Sequence, residues 1–214
     1  MNTIQQKVDH FFENYSEIIF KEGEFVITPE DTISHIYFIK KGSIRMYSVS
    51  EKGDEITHTI FREGSFIPIM MILGNIPNKY YFVASEKAVT RKAPQSEVLA
   101  FLQENPDCLL DLAKRFAAAI GGLMTRIENG TMDSAHKITQ LILYLATKFG
   151  EKDGSAVTIT LPLTHEDIAN WVGITRETVS RQMEKLKKQG VITTHNKKLY
   201  IPDIDTLKHF STLV

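Results

Sequence analysis

Cysteine is almost absent from the 214 residues: Cys108 stands alone. One thiol can close no internal disulfide and cannot supply a cysteine-held iron–sulfur cluster, so a reducing cytoplasm is the expected compartment. Long apolar runs are missing as well. None approaches the roughly 20 residues of a membrane span, and the opening MNTIQQKVDHFF lacks the basic start and apolar stretch of a secretory leader. No membrane partner is expected. Glycine-rich phosphate loops are absent after every β-rich run. Histidines are few and scattered, with His10, His35 and His58 at no ligand spacing. A barrel enzyme of the metal-dependent kind needs clustered His and Glu ligands. The reading is therefore no enzyme, no catalytic residue, no metal and no cofactor, with surface or core histidines preferred over a haem ligand.

Charge of one sign is lacking too: 25 Lys and Arg balance 26 Asp and Glu. Its distribution is uneven. Residues 134–214 carry 11 basic against 8 acidic side chains, whereas residues 1–133 carry 14 against 18. Between Arg176 and Lys198 there are seven basic residues and two acidic ones. A basic stripe in one segment of a near-neutral protein is the footprint a nucleic-acid face leaves. Lys185, Lys187 and Lys188 alone would read only as a solvated helix surface.

What is present falls into three segments, taken as 1–98, 99–132 and 133–214. In the first, short β-rich runs at 25–27, 33–39, 44–49, 56–61, 80–84 and 88–91 are punctuated by Gly23, Gly42, Gly53, Gly64 and Gly74. That spacing predicts an antiparallel sandwich or barrel, with 36–39 and 44–47 joined as a hairpin through Lys40-Lys-Gly-Ser43. In the second segment the period changes. A short helix over 97–104 starts from Ser96, and Pro106 sits where a longer helix begins. Leu102, Leu109, Phe116 and Leu123 fall seven apart, with Leu112, Ala119, Ile120 and Ile127 filling the stripe. This heptad-like seam predicts a helix that pairs with a copy of itself, in preference to one that packs only on its own sheet. Gly121-Gly122 interrupts it at about 1 kcal/mol per glycine relative to alanine, a cost that close helix approach or a soft point would explain. In the third segment, residues 129–133 break the helix and Asp133 caps Ser134–Phe149. Residues 150–155 read as a polar turn and 157–161 as a short strand.

The decisive stretch is LTHEDIANWVGITRETVSRQMEKLKKQGVI, residues 163–192. Thr164 with Asp167 three residues on forms a capping box whose acid is one carbon shorter than the usual Glu. Ile168, Ala169 and Val172 give the helix an apolar face, Gly173 ends it, Ile174 plugs the turn and Thr175 caps a second helix. There Val179, Met183 and Leu186 point to the core, which turns Arg176, Glu177, Ser180 and Arg181 outward. Two short helices joined by a tight glycine turn are the helix-turn-helix unit, whose second helix enters the major groove. Arginine can donate a bidentate pair to guanine O6 and N7, glutamate can accept from cytosine N4, and Ser180 can bond a base edge or contact a thymine methyl. Residues 190–201 then read as a two-stranded wing with its tip near His195–Lys198. Thr164, His165, Thr175, Thr178, Lys185, Lys188 and Lys197 are the expected phosphate contacts. Four polar residues on a helix are usually plain surface, but in this capped frame DNA reading is the preferred account.

Those residues resemble the Crp/Fnr regulators, and the resemblance covers essentially the whole chain. It is strongest in VGITRETVSR, residues 172–181, which is similar to the family's recognition-helix signature. Arg176 resembles the cyclic-AMP receptor branch and Ser180 the fumarate–nitrate branch. The resemblance implies an α+β fold: an N-terminal antiparallel β-roll of the jelly-roll, cyclic-nucleotide-binding-domain type, a long dimerisation helix, and a C-terminal winged helix-turn-helix. It implies Arg176, Glu177 and Arg181 as principal base contacts. It further implies a homodimer on a palindrome of double-stranded DNA with TGA-like half-sites, and RNA polymerase contacts near residues 150–156.

The sensor end departs from the family. Cyclic-nucleotide receptors carry a Gly-Glu pair and then an Arg-Ser pair, where this chain has Gly64-Ser-Phe-Ile-Pro68 and, further on, Lys79-Tyr-Tyr-Phe82. A cyclic phosphate needs a cation or clustered donors, and tyrosines supply no charge. The N-terminal cysteines of the oxygen sensor are missing. The apolar replacement reads first as a well-filled barrel core. The sharper alternative is a pocket for an unidentified apolar effector, lined by Met70, Met71, Tyr80, Tyr81 and, from the long helix, Leu123 or Met124. The expected function is an effector-modulated transcription regulator. A regulator that binds DNA without any small molecule, controlled by abundance, stands as the alternative.

Overall fold

Period-two alternation decides where the strands of the first segment put their side chains. In the computed structural model, which describes residues 3–128, 132–195 and 198–213, the chain forms two compact units, Met1–Gly121 and Gly122–Val214. The first unit opens with helix α1 (Ile4–Glu13), capped by a reciprocal Thr3–Gln6 box. Strands β1 (Ser16–Phe20), β2 (Phe25–Ile27), β3 (His35–Lys41), β4 (Ser43–Val49), β5 (Glu55–Arg62) and β6 (Phe66–Ile67) follow. Helix α2 (Ile69–Gly74), strands β7 (Tyr81–Ala84) and β8 (Ala88–Pro94), and helix α3 (Gln95–Glu104) complete the set. The strands make two antiparallel four-stranded sheets, ordered β1-β8-β3-β6 and β2-β7-β4-β5.

β3 shows how one strand serves two cores. Ile36 and Phe38 point to a cluster with Val8 and Phe12 of α1 and Val98 and Leu102 of α3. Ile39 joins the other cluster, with Ile44 and Met46 of β4 and Phe82 of β7. That second cluster lies between the sheets, the first between one sheet and the helices. Phe12 stacks on Phe38 at 4.7 Å and Phe38 meets Phe66 at 5.4 Å.

The expected hairpin of 36–39 with 44–47 does not form. β3 pairs with β8 and β6, while β4 pairs with β5 and β7. The intervening Gly42 is a corner at which the chain changes sheets. Its φ is +84°, and a Cβ there would lie 2.5 Å from the Lys87 carbonyl oxygen, so no other residue fits without a shift. Hydrophobic alternation identified both strands, but pairing is settled by contacts with distant β7 and β8. The helix expected from Ser96 begins one residue earlier, at Gln95. α1, β1 and α2 were not separately anticipated.

Helix α4 (Pro106–Glu128) follows, and the division between the two units falls at its Gly121-Gly122 pair. Its first half is anchored to the first unit. Leu112 is buried and Phe116 partly buried against the α1–α3 cluster. Lys7 donates to Asp107 at 2.7 Å, and Arg115 donates both to Asp111 at 2.7 Å and to the Gly64 carbonyl at 2.9 Å.

The second unit is built on helix α5 (Ser134–Phe149), with Asp133 accepting from the His136 amide at 2.8 Å as expected of the cap. Strands β9 (Gly150–Asp153) and β10 (Ala156–Ile159) follow, then helices α6 (His165–Val172) and α7 (Arg176–Lys188), strands β11 (Thr193–His195) and β12 (Lys198–Ile201), and helix α8 (Ile204–Leu213). The sheet order is β11-β12-β10-β9. Residues 150–153, read as a polar turn, are an edge strand instead, because β10 offers their backbone a pairing partner. An edge strand can be wholly polar, since its face need bury nothing. Among the described residues no helix is long and apolar enough to cross a membrane.

Candidate nucleic-acid interface

The two-helix unit is fixed by its caps. The Thr164 hydroxyl accepts from the Asp167 amide at 3.1 Å, while the Asp167 carboxylate accepts from the Thr164 amide at 2.8 Å. The shorter acid therefore closes the box. α6 ends at Gly173 with φ +70°, the left-handed conformation that glycine adopts without steric penalty. The Gly173 and Ile174 amides both return to the Ala169 carbonyl. Thr175 then caps α7, its hydroxyl accepting from the Thr178 amide at 3.3 Å. The turn is thus satisfied by backbone and capping groups.

Packing orients what remains. Val179, Met183 and Leu186 are buried on one side of α7, and Ile168, Ala169 and Trp171 face inward from α6. Fully burying such side chains is worth about 1.5–3 kcal/mol each, so the rotation of α7 about its axis is firmly set. Arg176, Glu177 and Arg181 are left exposed on its first two turns. Ser180 is half-buried, and its Oγ lies 2.7 Å from Nδ1 of His165. Partial burial, aided by Lys187 and Arg176 and opposed by Glu184, lowers the His165 pKa below the ordinary histidine value.

The expected phosphate contacts divide in the same way. Thr164 and Thr175 are exposed at helix starts and Thr178 is half-buried; all three are engaged in the caps. Lys185 and Lys188 are exposed in the last turn of α7, where Lys187 instead pairs with Glu184 at 3.1 Å. Lys197 lies outside the described residues. β11 and β12 form the wing, with Thr193 opposite Tyr200 and His195 opposite Lys198. The His165–Ser180 pair was not foreseen. Fifteen residues separate the two, and only the packing of α6 on α7 brings them together.

On α4, six large apolar side chains are exposed: Leu109, Leu110, Ile120, Leu123, Met124 and Ile127. Ala119 is exposed as well. The seven-residue seam is not one face, however. Leu102 belongs to α3, while Leu112 and Phe116 turn into their own unit's core. Asn105 separates the helices, so the register does not run through.

Within the first unit, the residues considered for an effector pocket do not share one surface. Met71 is buried and Tyr80 packs with it in the inter-sheet cluster, but Met70 is exposed. Tyr81, the first residue of β7, lies outside that cluster, stacked on Tyr47 at 5.1 Å and beside Phe25. Leu123 and Met124 belong to the second unit and are exposed there. A polar cleft of about 420 Å³ does occur in the first unit, lined in part by Gln5, Asp9, Lys40 and Arg62. His10 is exposed, His35 bonds Ser34 and His58 bonds Ser48, in separate parts of the unit.

Comparison with known proteins agrees with this architecture. Residues 17–105 match the cyclic nucleotide-binding domain family and residues 136–210 the Crp-like helix-turn-helix domain family. A global nitrogen regulator of Nostoc sp. is 30% identical over 187 residues, covering 85% of this chain and 83% of the relative. Among solved structures, a CooA variant from Carboxydothermus hydrogenoformans is similar with a TM-score of 0.77 and 22% identity, covering 94% of this chain and 90% of that one. A CRP/FNR-family regulator from Thermus thermophilus has a TM-score of 0.69 at 24% identity, covering 92% and 98%. These two likenesses concern the fold.

Proposed function

The chain belongs to the Crp/Fnr family of transcription regulators, and from that premise we propose that it acts as a homodimer on a palindromic DNA site with TGA-like half-sites. Arg176, Glu177, Ser180 and Arg181 read the bases. Thr164, His165, Thr175, Thr178, Lys185, Lys188 and Lys197 hold the phosphates. The observation that carries this reading is the exposure of Arg176, Glu177 and Arg181 on the first two turns of a capped helix whose other face is buried. The exposed stripe of α4, Leu109, Ala119, Ile120, Leu123 and Ile127, supports self-association, because an apolar surface of this extent is one a soluble protein covers. A two-fold pair of reading helices about one DNA turn apart, roughly 34 Å, calls for an inverted repeat. The cytoplasm is the compartment of action and RNA polymerase the partner, met at residues 150–156.

The β-roll domain modulates binding through an effector that is not a cyclic nucleotide. The filling of the space between its sheets by Ile39, Ile44, Met46, Met71 and Phe82 favours a second reading, DNA binding with no small molecule at all. Selection of bound sequences from random duplexes, by chain refolded from denaturant and with or without cell extract, tests both. An inverted repeat selected only with extract supports the effector. The same repeat selected without extract supports the second reading. Equal affinity for selected and scrambled DNA refutes the DNA-reading role. On the selected site, Arg181→Ala is expected to cost about 1–3 kcal/mol and to relax one base pair per half-site.

A further inference from the structure

We infer that His165 sets which hydrogen-bonding group Ser180 presents to DNA, and thereby takes part in choosing the base at that position. This rests on the DNA-reading role proposed above. His165 opens α6 and Ser180 lies in the second turn of α7, and their Nδ1 and Oγ atoms are 2.7 Å apart. Both side chains are half-buried, so the pair sits at the edge of the reading surface.

A serine hydroxyl has one hydrogen and two acceptor lone pairs. If Nδ1 carries no hydrogen, the serine donates its own to the imidazole and offers only lone pairs outward. It then suits adenine N6 and cytosine N4, the amines of the major groove. If Nδ1 carries a hydrogen, the serine accepts it and can donate outward, to guanine O6 or N7, adenine N7 or thymine O4. The other ring nitrogen makes the choice. A phosphate oxygen only accepts, so a neutral ring meeting the DNA backbone through Nε2 keeps its hydrogen there and leaves Nδ1 bare. The surroundings favour the neutral ring: partial burial, Lys187 and Arg176 all oppose the cation, with Glu184 of the same helix as counterweight. Grip on a phosphate by His165 therefore makes Ser180 an acceptor. A contact to the backbone is converted into a preference among bases.

The test is competition binding of the full chain to duplexes carrying each base in turn at every half-site position, at about pH 8 and about pH 5, the second set well below the ordinary histidine pKa because that of His165 is itself lowered. At the higher pH, adenine or cytosine should be favoured at one position by roughly fivefold, the worth of one net hydrogen bond. His165→Ala and Ser180→Ala should each erase that preference alone, and the double substitution should erase no more. At the lower pH the unaltered chain should lose the preference or turn towards a base presenting an acceptor, while Ser180→Ala shows no such change. A preference in the unaltered chain that ignores pH overturns the inference, and that comparison needs no substitution. So does a His165→Ala chain that binds all sequences uniformly less well with its preferences intact, which makes His165 a phosphate contact alone. Failure of the unaltered chain to discriminate any site from scrambled DNA is distinguishable from both, since it removes the reading role itself.

Discussion

The recognition helix and the β-roll place their informative side chains in opposite ways. α7 buries Val179, Met183 and Leu186 so that Arg176, Glu177 and Arg181 stand outside. The roll turns its aromatic and branched residues inward, filling both clusters with Phe12, Phe38, Phe82, Ile39 and Ile44. A surface that reads DNA can be described one residue at a time. A domain whose distinctive residues are its core shows what holds it together and not what it answers to.

The largest effect that tests this contrast is on stability. Phe38 is 1% exposed, stacks on Phe12 and meets Phe66 at a tilt. Phe38→Ala should destabilise the first unit by about 3–5 kcal/mol in denaturant unfolding. If the units are energetically separate, a second transition belonging to the DNA-reading unit should stay in place. Coincident loss of both would mean that they unfold together, and the contrast would be weaker than drawn.

Next in size is the exposed stripe of α4. Replacing Ile120 and Leu123 together by Glu should leave both units folded by circular dichroism and yield monomers in sedimentation. Affinity for the inverted repeat should then fall by about 10²-fold or more, because the second half-site is no longer reached intramolecularly. A dimer that survives this change would move the pairing surface off α4.

The smallest effect sits in the roll. Tyr15 donates to Glu97 at 2.6 Å, and burial, reinforced by that carboxylate, pushes its pKa up to about 12. A group whose folded pKa lies above its unfolded value near 10 stabilises the fold fully below pH 10, and that contribution disappears as pH rises through 12. Tyr15→Phe should flatten the alkaline loss of stability in that window and remove one late tyrosinate step from the absorbance titration. An unaltered alkaline stability curve, with the lost tyrosinate step falling near pH 10, would show that the Tyr15–Glu97 contact is absent in solution.

Much of the second unit was legible because its signals are local. Asp133 as a cap, the Thr164–Asp167 box, Gly173 in the turn and the inward spacing of Val179, Met183 and Leu186 all act over three or four residues, the reach of a helix turn. The strands of the roll were legible as strands for the same reason. Their partners were not: Gly42 looked like a hairpin turn, and only contact with Lys87 and pairing to β7 and β8 reveals a corner between sheets. The register of α4 failed similarly, since Asn105 ends α3 and the buried Leu112 answers to Val8 and Phe12 far back in the chain.

Local sequence was enough for the caps that place α6 and α7 and for the outward set of Arg176, Glu177 and Arg181. Only packing settles which strands share a sheet, that Tyr80 joins the inter-sheet cluster while Tyr81 stacks on Tyr47, and that His165 meets Ser180. The physical reason is range: caps and periodicity are written within one turn or one strand, whereas sheet pairing and a 2.7 Å contact across fifteen residues exist only once distant segments have packed.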